Sequence, residues 1–498
     1  MRILMLGWEF PPFVAGGLGT ACQGLTKALA RQGHEIIFIL PKSVGGASGG
    51  HVNLLGADAL RRVVEDVRAS ARAEAAPGAS RGVLPARDTS VDLPESTRPR
   101  PGESSGAPGV TRFFEVEASF NSPYPQGDAR RDLGRLLEAL APGAGSQAPV
   151  SGGEGLGEIE GLRTGSAPQL LRVMEHILAD IDPDEGGENH YGGDLFADAQ
   201  RYAKLVCALA VRERFDVIHA HDWLTYPAGL ALKALTGKPL VAHVHATEFD
   251  RSGENVNQGV YDIERSGMQG ADRVITVSRL TKSIAVNRYG VDPEKVDVVY
   301  NGVEQEGAQP RAGEKIERKD KIVLFLGRIT MQKGPEYFIR AAKRVLEKIE
   351  DVKFVVAGSG DMAVKMIEQA AALGIGHKVL FTGFLRGRDV DTVFRMADCY
   401  VMPSVSEPFG IAPLEAMSHD VPVIISKQSG VSEVLTHALK VDFWDVDEMA
   451  NKIVAVLKYP PLSQTLRQHG EYELRGLTWA GAAEKCVKVY GRAIAGQG

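Results

Sequence analysis

The stretch Cys399-Tyr-Val-Met-Pro-Ser-Val-Ser-Glu-Pro-Phe-Gly-Ile-Ala-Pro-Leu-Glu-Ala-Met417 decides how this chain is read. Cys399 to Met402 is a short apolar run of strand type. It breaks at Pro403 and passes into a loop of Ser, Glu, Pro and Gly. A helix is expected from near Gly410, with Pro413 in its first turn, where a missing N–H costs little. Glu407 lies in the loop and Glu415 follows eight residues later, inside the helix. Open α/β sheets bind ligands where a strand's carboxyl end feeds a helix, because free N–H groups and the helix dipole favour anions. Two carboxylates beside such a site would hold hydroxyls, such as those of a sugar and a ribose, rather than the anion itself. Spacing alone leaves equally open that both glutamates only cap and solvate the helix start.

Outward from this stretch the chain alternates strand and helix patterns. Ile3–Leu6, a helix at Thr20–Gln32 with Leu25, Ala28 and Leu29 at i, i+3, i+4, and Ile36–Leu40 make a βαβ opening, which predicts a parallel sheet. After Asp194 a helix leads into Asp216–Ala220. Further strands are expected at Leu240–Val244, Arg273–Val277 and Val296–Tyr300, with helices between them. Glu304–Lys319 is charged, Gly-rich and without periodicity, as suits a linker. A second block has strands at Ile322–Leu326, Phe354–Ala357, Val379–Thr382, Tyr400–Met402, Val423–Ile425 and Leu439–Val441. Helices are expected between them at Glu336–Lys348, Ala363–Leu373, Val390–Met396 and Glu448–Leu457. The fold class is α/β, with two successive doubly wound parallel sheets.

Residues 43–193 read as a large insertion. Within it, 75–110 and 141–168 are rich in Gly, Pro, Ala, Ser and Arg and are expected to be disordered, because they cannot bury enough apolar surface to offset ordering entropy. Between them a strand is expected within 110–120 and a short helix within 130–140.

The totals exclude several classes. The 498 residues allow two or three domains, and a net charge of −6 argues against a dedicated nucleic-acid binder. Cys22, Cys207, Cys399 and Cys486 are widely separated and form no metal-ligand pair, which fits buried thiols in a reducing compartment. The chain enters a strand at once without a basic leader, and no apolar run approaches the ~20 residues of a membrane span, so a cytoplasmic protein is expected.

Three further places carry chemistry. Gly16-Gly17-Leu18-Gly19 joins a strand to a helix and would let backbone approach a phosphate; as a tight turn it needs no ligand. Cys22 stands where the dinucleotide fingerprint wants Gly or Ala, and the next strand ends at Pro41-Lys42 without an acidic residue, which disfavours a dehydrogenase. Arg328-Ile-Thr-Met-Gln-Lys333-Gly334 sets two cations at a strand end beside a helix start, an arrangement for a diphosphate or, more plainly, solvated loop charges. His219-Ala-His221-Asp222-Trp223 and His243-Val-His245 end two strands; no further ligand has zinc spacing, so His245 is read as a hydrogen-bonding group and no metal is expected.

Together these residues resemble retaining glycosyltransferases of the GT-B fold, in the glycogen/starch synthase branch. The likeness covers 1–42 and about 194–490. It rests on E-F-P-P-x-x-x-G-G-L-G at the start, H-A-H-D-W at 219–223, H-A-T-E-F-D at 245–250 and Y-N-G-V at 300–303. G-R-x-x-x-x-K-G at 327–334 and E-P-F-G-I-x-P-L-E at 407–415 complete the set. The resemblance implies two Rossmann-like domains facing across a cleft, 1–305 on the acceptor side and 306–477 binding the nucleotide sugar, with 478–498 crossing back. It implies that Arg328 and Lys333 hold the donor diphosphate without a metal and that Glu407 lies at the sugar. Leu385 and the backbone of Phe409, Gly410 and Ile411 would line the donor site, with Glu415 on the ribose. His245 would sit by the transferred sugar and Asp222 on the acceptor side, while Gly17 and Gly19 close over the phosphates. The implied reaction moves glucose from ADP- or UDP-glucose to the 4-hydroxyl of an α-1,4-glucan with retention, using no cofactor. The partners would be the nucleotide-sugar donor and a glycan acceptor, with homo-oligomerisation left open. Where that branch carries Lys in K-x-G-G-L, this chain has Val14, so one cationic donor contact is missing, which leaves room for UDP-glucose. The alternatives are a related transferase with a small, lipid-linked or wall acceptor, and a silent carbohydrate-binding homologue.

Overall fold

A computed structural model describes residues 1–11, 16–41, 52–55, 111–115, 195–210, 213–304 and 320–496, with backbone alone at 52–55 and 111–115. Eight parallel strands form the first sheet: β1 (Arg2–Leu6), β2 (Glu35–Leu40), β3 (Val52–Leu55), β4 (Thr111–Glu115), β5 (Val217–His221), β6 (Leu240–Val244), β7 (Arg273–Thr276) and β8 (Val296–Val298). Six more form the second: β9 (Lys321–Leu326), β10 (Val352–Ala357), β11 (Val379–Gly383), β12 (Cys399–Met402), β13 (Val423–Ser426) and β14 (Leu439–Val441). Their central strands are buried throughout because helices cover both faces, as in β5 and β6, where every residue is buried although three of them are histidines.

The second sheet runs β11-β10-β9-β12-β13-β14, the 3-2-1-4-5-6 order of a doubly wound fold, and its order reverses between β9 and β12. The first sheet runs β3-β4-β2-β1-β5-β6-β7-β8 and reverses between β1 and β5. Each sequence-predicted loop follows β1, β5, β6, β9 or β12, so topology alone brings them to the carboxyl ends of strands at or beside these switch points.

Several expectations shift. The 43–193 segment contributes to the sheet: β4 falls within the strand expected at 110–120, and β3, which no sequence pattern predicts, pairs with it at the edge. The helix expected within 130–140, the segments 75–110 and 141–168, and most of the linker lie outside the described residues. The helix expected from Gly410 spans only Ala412–Ser418, because Gly410 adopts φ +102°, outside helical space. The first helix begins earlier than Thr20, at Gly17, directly after the cap at Gly16. A helix at Pro460–Leu474 escaped the pattern because it buries only Leu466, Gly470 and Leu474, a stripe of one residue per turn.

The helix Trp479–Ala495 leaves the second sheet and packs over the first, beside the helix Gly17–Arg31. Trp479, Ala482, Cys486 and Val489 share one core with Ala21, Cys22 and Leu25. Gly24 makes room for the indole: a Cβ there would lie 2.2 Å from Trp479. The two chain crossings between the sheets run side by side, with the Val303 N–H donating to the Leu477 carbonyl at 2.9 Å and Val303 bridging to Thr478. Gly302 is required there, since a Cβ would come within 2.3 Å of the Thr478 backbone. All four cysteines are buried and unpaired by disulfides. Among the described residues no helix is long and apolar enough to cross a membrane.

Candidate active site

The loop after β9 carries Arg328 and Lys333. Gly327 and Gly334 give it its shape, and the close pass of Gly334 under the Pro403 carbonyl (2.2 Å from an added Cβ) seats it against the loop after β12. That contact brings Lys333 to Glu407, Nζ to Oε2, at 2.6 Å, with the Ser404 hydroxyl donating to the same oxygen at 3.1 Å. Glu407 is only 7% exposed, so its charge is held by these partners rather than by water. Arg328 is exposed and makes no ion pair among the described residues. Main-chain bonds from Glu407 N–H to the Gln428 carbonyl (3.0 Å) and from Val431 N–H to the Phe409 carbonyl (2.7 Å) brace the loop. The N–H groups of Phe409, Gly410 and Ile411, just ahead of the Ala412–Ser418 helix, donate to no backbone carbonyl among the described residues. They are the free donors of a helix start. Leu385 is half-buried against the core that holds Tyr400, Met402 and Phe409. Burial, then the charge of Asp391, pushes the Glu415 carboxyl up to about 7.

On the first sheet, Asp222 follows β5 with φ +60° and ψ 172°, a conformation that costs a non-glycine residue about 1–3 kcal/mol. The strain turns its Oδ1 onto the N–H groups of His245 (2.7 Å) and Ala246 (3.3 Å). Burial raises this carboxyl to about 7 against the pull of those N–H groups. The residues following His245 are mostly structural. Thr247 and Asp250 form a capping box, and Glu248, Arg251, Glu264 and Tyr289 form a buried hydrogen-bonded network behind it.

His245 itself belongs to a group of four. His221 Nδ1 lies 2.9 Å from His245 Nε2, His219 Nε2 lies 3.1 Å from His243 Nδ1, and Tyr490 on the last helix reaches His219 Nδ1 at 2.7 Å. Burial holds His219 and His245 down to about 3, and His221 and His243 well below the ordinary range. The spacing argument against grouped histidines missed this, because each pair looks isolated until register sets His221 opposite His243.

The two halves meet over these loops. Ser406, beside Glu407, donates to Asp250 Oδ1 at 2.6 Å. Glu433 caps the helix Arg279–Tyr289 by accepting from Arg279 N–H (2.9 Å) and Leu280 N–H (2.7 Å). Ile411 packs against cores of both halves. Glu9, in the loop after β1, was not singled out in the sequence. Its carboxylate accepts the Gly19 N–H, lies 2.6 Å from where a Gly16 Cβ would stand, and feels the charge of Arg328. Burial is the largest influence and raises it. The start of the Gly17 helix is therefore already faced by an acid of the chain itself. Gly17 is exposed with open space around its Cβ position, while Gly19 is buried.

Comparison with known proteins follows the same division. The family model "Glycosyl transferases group 1" matches residues 308–472, "Glycosyltransferase Family 4" matches 187–306, and "Starch synthase catalytic domain" matches 2–71. The D-inositol 3-phosphate glycosyltransferase of Mycobacterium sp. (strain KMS) is 30% identical over 301 residues, covering 56% of this chain and 67% of that protein. This chain belongs to the group 1 glycosyltransferases of the GT-B fold. The uncharacterized glycosyltransferase MJ1607 of Methanocaldococcus jannaschii is 37% identical over 238 residues, 45% of this chain and 61% of the relative's length, so the match spans less than two thirds of that protein. Among solved structures, sucrose-phosphate synthase from Thermosynechococcus elongatus superimposes with a TM-score of 0.63 over 99% of both chains at 17% identity, a likeness of fold. As in other GT-B glycosyltransferases, two parallel sheets with flanking helices make up the molecule.

Proposed function

We propose that this glycosyltransferase moves glucose from a nucleotide diphosphate glucose to the 4-hydroxyl of an α-glucan, with retention of configuration. The observation that carries the reading is the Lys333–Glu407 pair at the switch point of the second sheet, joined to the His245 loop through Ser406 and Asp250. A leaving nucleoside diphosphate gains charge as the glycosidic bond breaks. Arg328 and Lys333 stabilise that charge as preorganised cations, so no metal is required at the phosphates. The free N–H groups of Phe409, Gly410 and Ile411 take a phosphate or sugar oxygen. Glu407 accepts from the sugar hydroxyls and Glu415 from the ribose, with Leu385 against the nucleotide. His245 hydrogen-bonds the transferred sugar, whose anomeric carbon passes through an oxocarbenium-like state on its front face. Gly17 and Gly19 keep the facing helix start clear of side chains. Asp222 acts on the acceptor side through the backbone it holds. In this reading 1–305 form the acceptor domain, 306–477 the donor domain and 478–498 the return helix.

The starch synthase match at 2–71 supports the glucan acceptor. A phosphorylated cyclitol or sugar is the second reading, supported by the D-inositol 3-phosphate glycosyltransferases among the relatives. Nucleotide release from ADP-, UDP- and GDP-glucose, measured with glycogen, with inositol phosphate and with sugar phosphates, separates them. Release stimulated by glycogen is expected. Stimulation by small phosphorylated acceptors alone sinks the glucan reading, and no release from any donor sinks the transferase reading.

A further inference from the structure

Three of the four histidines in the first sheet, His219, His221 and His243, have no part in holding the nucleotide sugar, and among the described residues their nitrogens do not all find partners. His219 and His221 lie two apart on β5, so both rings project to one face of the sheet, and His243 and His245 do the same from β6 and its end. The rings stack in two pairs, His219 on His221 with centroids 4.2 Å apart and His243 on His245 at 4.1 Å. They fill the layer between the sheet and the return helix, which contributes Tyr490.

Both nitrogens of His219 are used, one toward Tyr490 and one toward His243, and the His221–His245 contact uses one nitrogen of each ring. Two remain: Nε2 of His221 and Nε2 of His243 are fully enclosed and have no hydrogen-bond partner among the described residues. His221 is 0% exposed and His243 2% exposed, so bulk solvent does not reach either nitrogen. A buried polar group left unsatisfied costs about 1–3 kcal/mol. Two in one cluster call for an occupant. One nitrogen from each of His219, His221 and His243 lies within 4.8 Å of the others. A tetrahedral ion with metal–nitrogen bonds near 2.0–2.1 Å would draw such nitrogens to about 3.4 Å from one another, a movement on the scale of a ring tilt.

We propose that His219, His221 and His243 form a binding site for a divalent transition-metal cation of the zinc type, buried beneath the active site. Imidazole donors without a carboxylate or thiolate select zinc, cobalt or nickel over magnesium or calcium. The second nitrogens of two ligands are already engaged, as ligating histidines require. With Nε2 on the metal, His219 exchanges its contact with His243 Nδ1 for the ion, carries its proton on Nδ1 and donates to the Tyr490 oxygen. His221 likewise donates from Nδ1 to His245 Nε2. His245 then holds its own proton on Nδ1. The ion thereby fixes the tautomer of the one histidine of the four that reaches the site. The site is separate from the Arg328–Lys333 loop and does not depend on which donor or acceptor the enzyme uses.

The test uses the full chain, purified without a histidine tag. Metal is counted by mass spectrometry after zinc loading and desalting, and cobalt(II) is titrated while watching for the visible absorption of a low-coordinate ion. About one equivalent per chain and a saturable cobalt band are expected. His243→Ala should drop the content to one tenth or less with far-ultraviolet circular dichroism unchanged. Tyr490→Phe, which removes an outer partner and no ligand, should keep the site but weaken it about 10–100-fold. A folded wild-type chain that holds less than a tenth of an equivalent and gives no cobalt band overturns the proposal, whether or not either variant folds. Full metal content in a folded His243→Ala protein overturns the assignment to these histidines. Failure of the glycogen assay alone would leave the metal count unchanged and would bear only on the acceptor.

Discussion

The loops of the first sheet face the joint between the halves with imidazoles and with an aspartate whose acceptor oxygen is taken by backbone N–H groups, whereas those of the second bring Arg328, Lys333 and Glu407. On one side the carboxylates are occupied in shaping the chain: Asp222 holds the His245 backbone, Asp250 closes a capping box, and Glu248 and Glu264 anchor Arg251. On the other side Lys333 and Glu407 hold each other at the edge of a helix start whose N–H groups have no backbone partner among the described residues. The same strand–loop–helix geometry is thus used twice, once to place groups and once to present charge. A charge-bearing loop should fail in turnover when altered, and a placing loop should fail in stability or alignment.

The largest effect tests the charged side. Lys333→Ala or Glu407→Ala should lower turnover by ~10²-fold or more, the scale of a lost transition-state partner, with the far-ultraviolet circular dichroism of the folded chain unchanged. Near-wild-type nucleotide release in either variant would remove that residue from the chemistry and erase the contrast. On the placing side, Gly24→Ala drives a methyl group into the Trp479 indole and should cost about 1–3 kcal/mol in denaturant unfolding, with kcat per folded molecule little changed. A loss confined to kcat would show that the return helix does more than cover the sheet. Asp222→Ala frees two N–H groups and should cost about 1–2 kcal/mol of stability while also lowering kcat through a looser His245. Asp222→Asn, which retains an acceptor oxygen, should restore most of both. The smallest effect concerns Glu415. Its carboxyl is raised from 4.5 to about 7, so its contribution to stability is full below pH 4.5 and is lost as pH rises toward 7. Glu415→Gln should gain on the wild type across that window by on the order of 1 kcal/mol and hold a constant lead above it, read from melting curves at pH 4.5 to 8. A lead that does not vary with pH would mean the carboxyl titrates normally.

The alternation of elements was legible because parallel strands covered on both faces read as largely apolar runs; Leu240–Val244 was bounded from sequence as it stands in the fold. The loops were legible for a related reason: Gly327, Gly334, Pro403 and Gly410 mark where regular structure must stop. What side chains do across elements was not legible. Glu9 stands in a quoted motif, yet its turn back onto the Gly19 N–H is a tertiary event. The meeting of four histidines depends on the register between β5 and β6, which no local pattern states. The resemblance puts Asp222 on the acceptor side; that its backbone conformation turns its Oδ1 onto the next loop is stated by no residue pattern.

The return helix has a consequence for the order in which the molecule is made. Its Trp479, Cys486 and Tyr490 complete a core begun by Ile3, Met5 and Cys22, so residues made early wait for residues made after the whole second sheet. The six-stranded half, contained between the two crossings at Val303 and Leu477, can close its own core while the eight-stranded half still lacks a wall. The half that is started first is therefore finished second, and the apolar face of the Gly17–Arg31 helix stays uncovered for the whole interval, which is when the nascent chain is most exposed to aggregation.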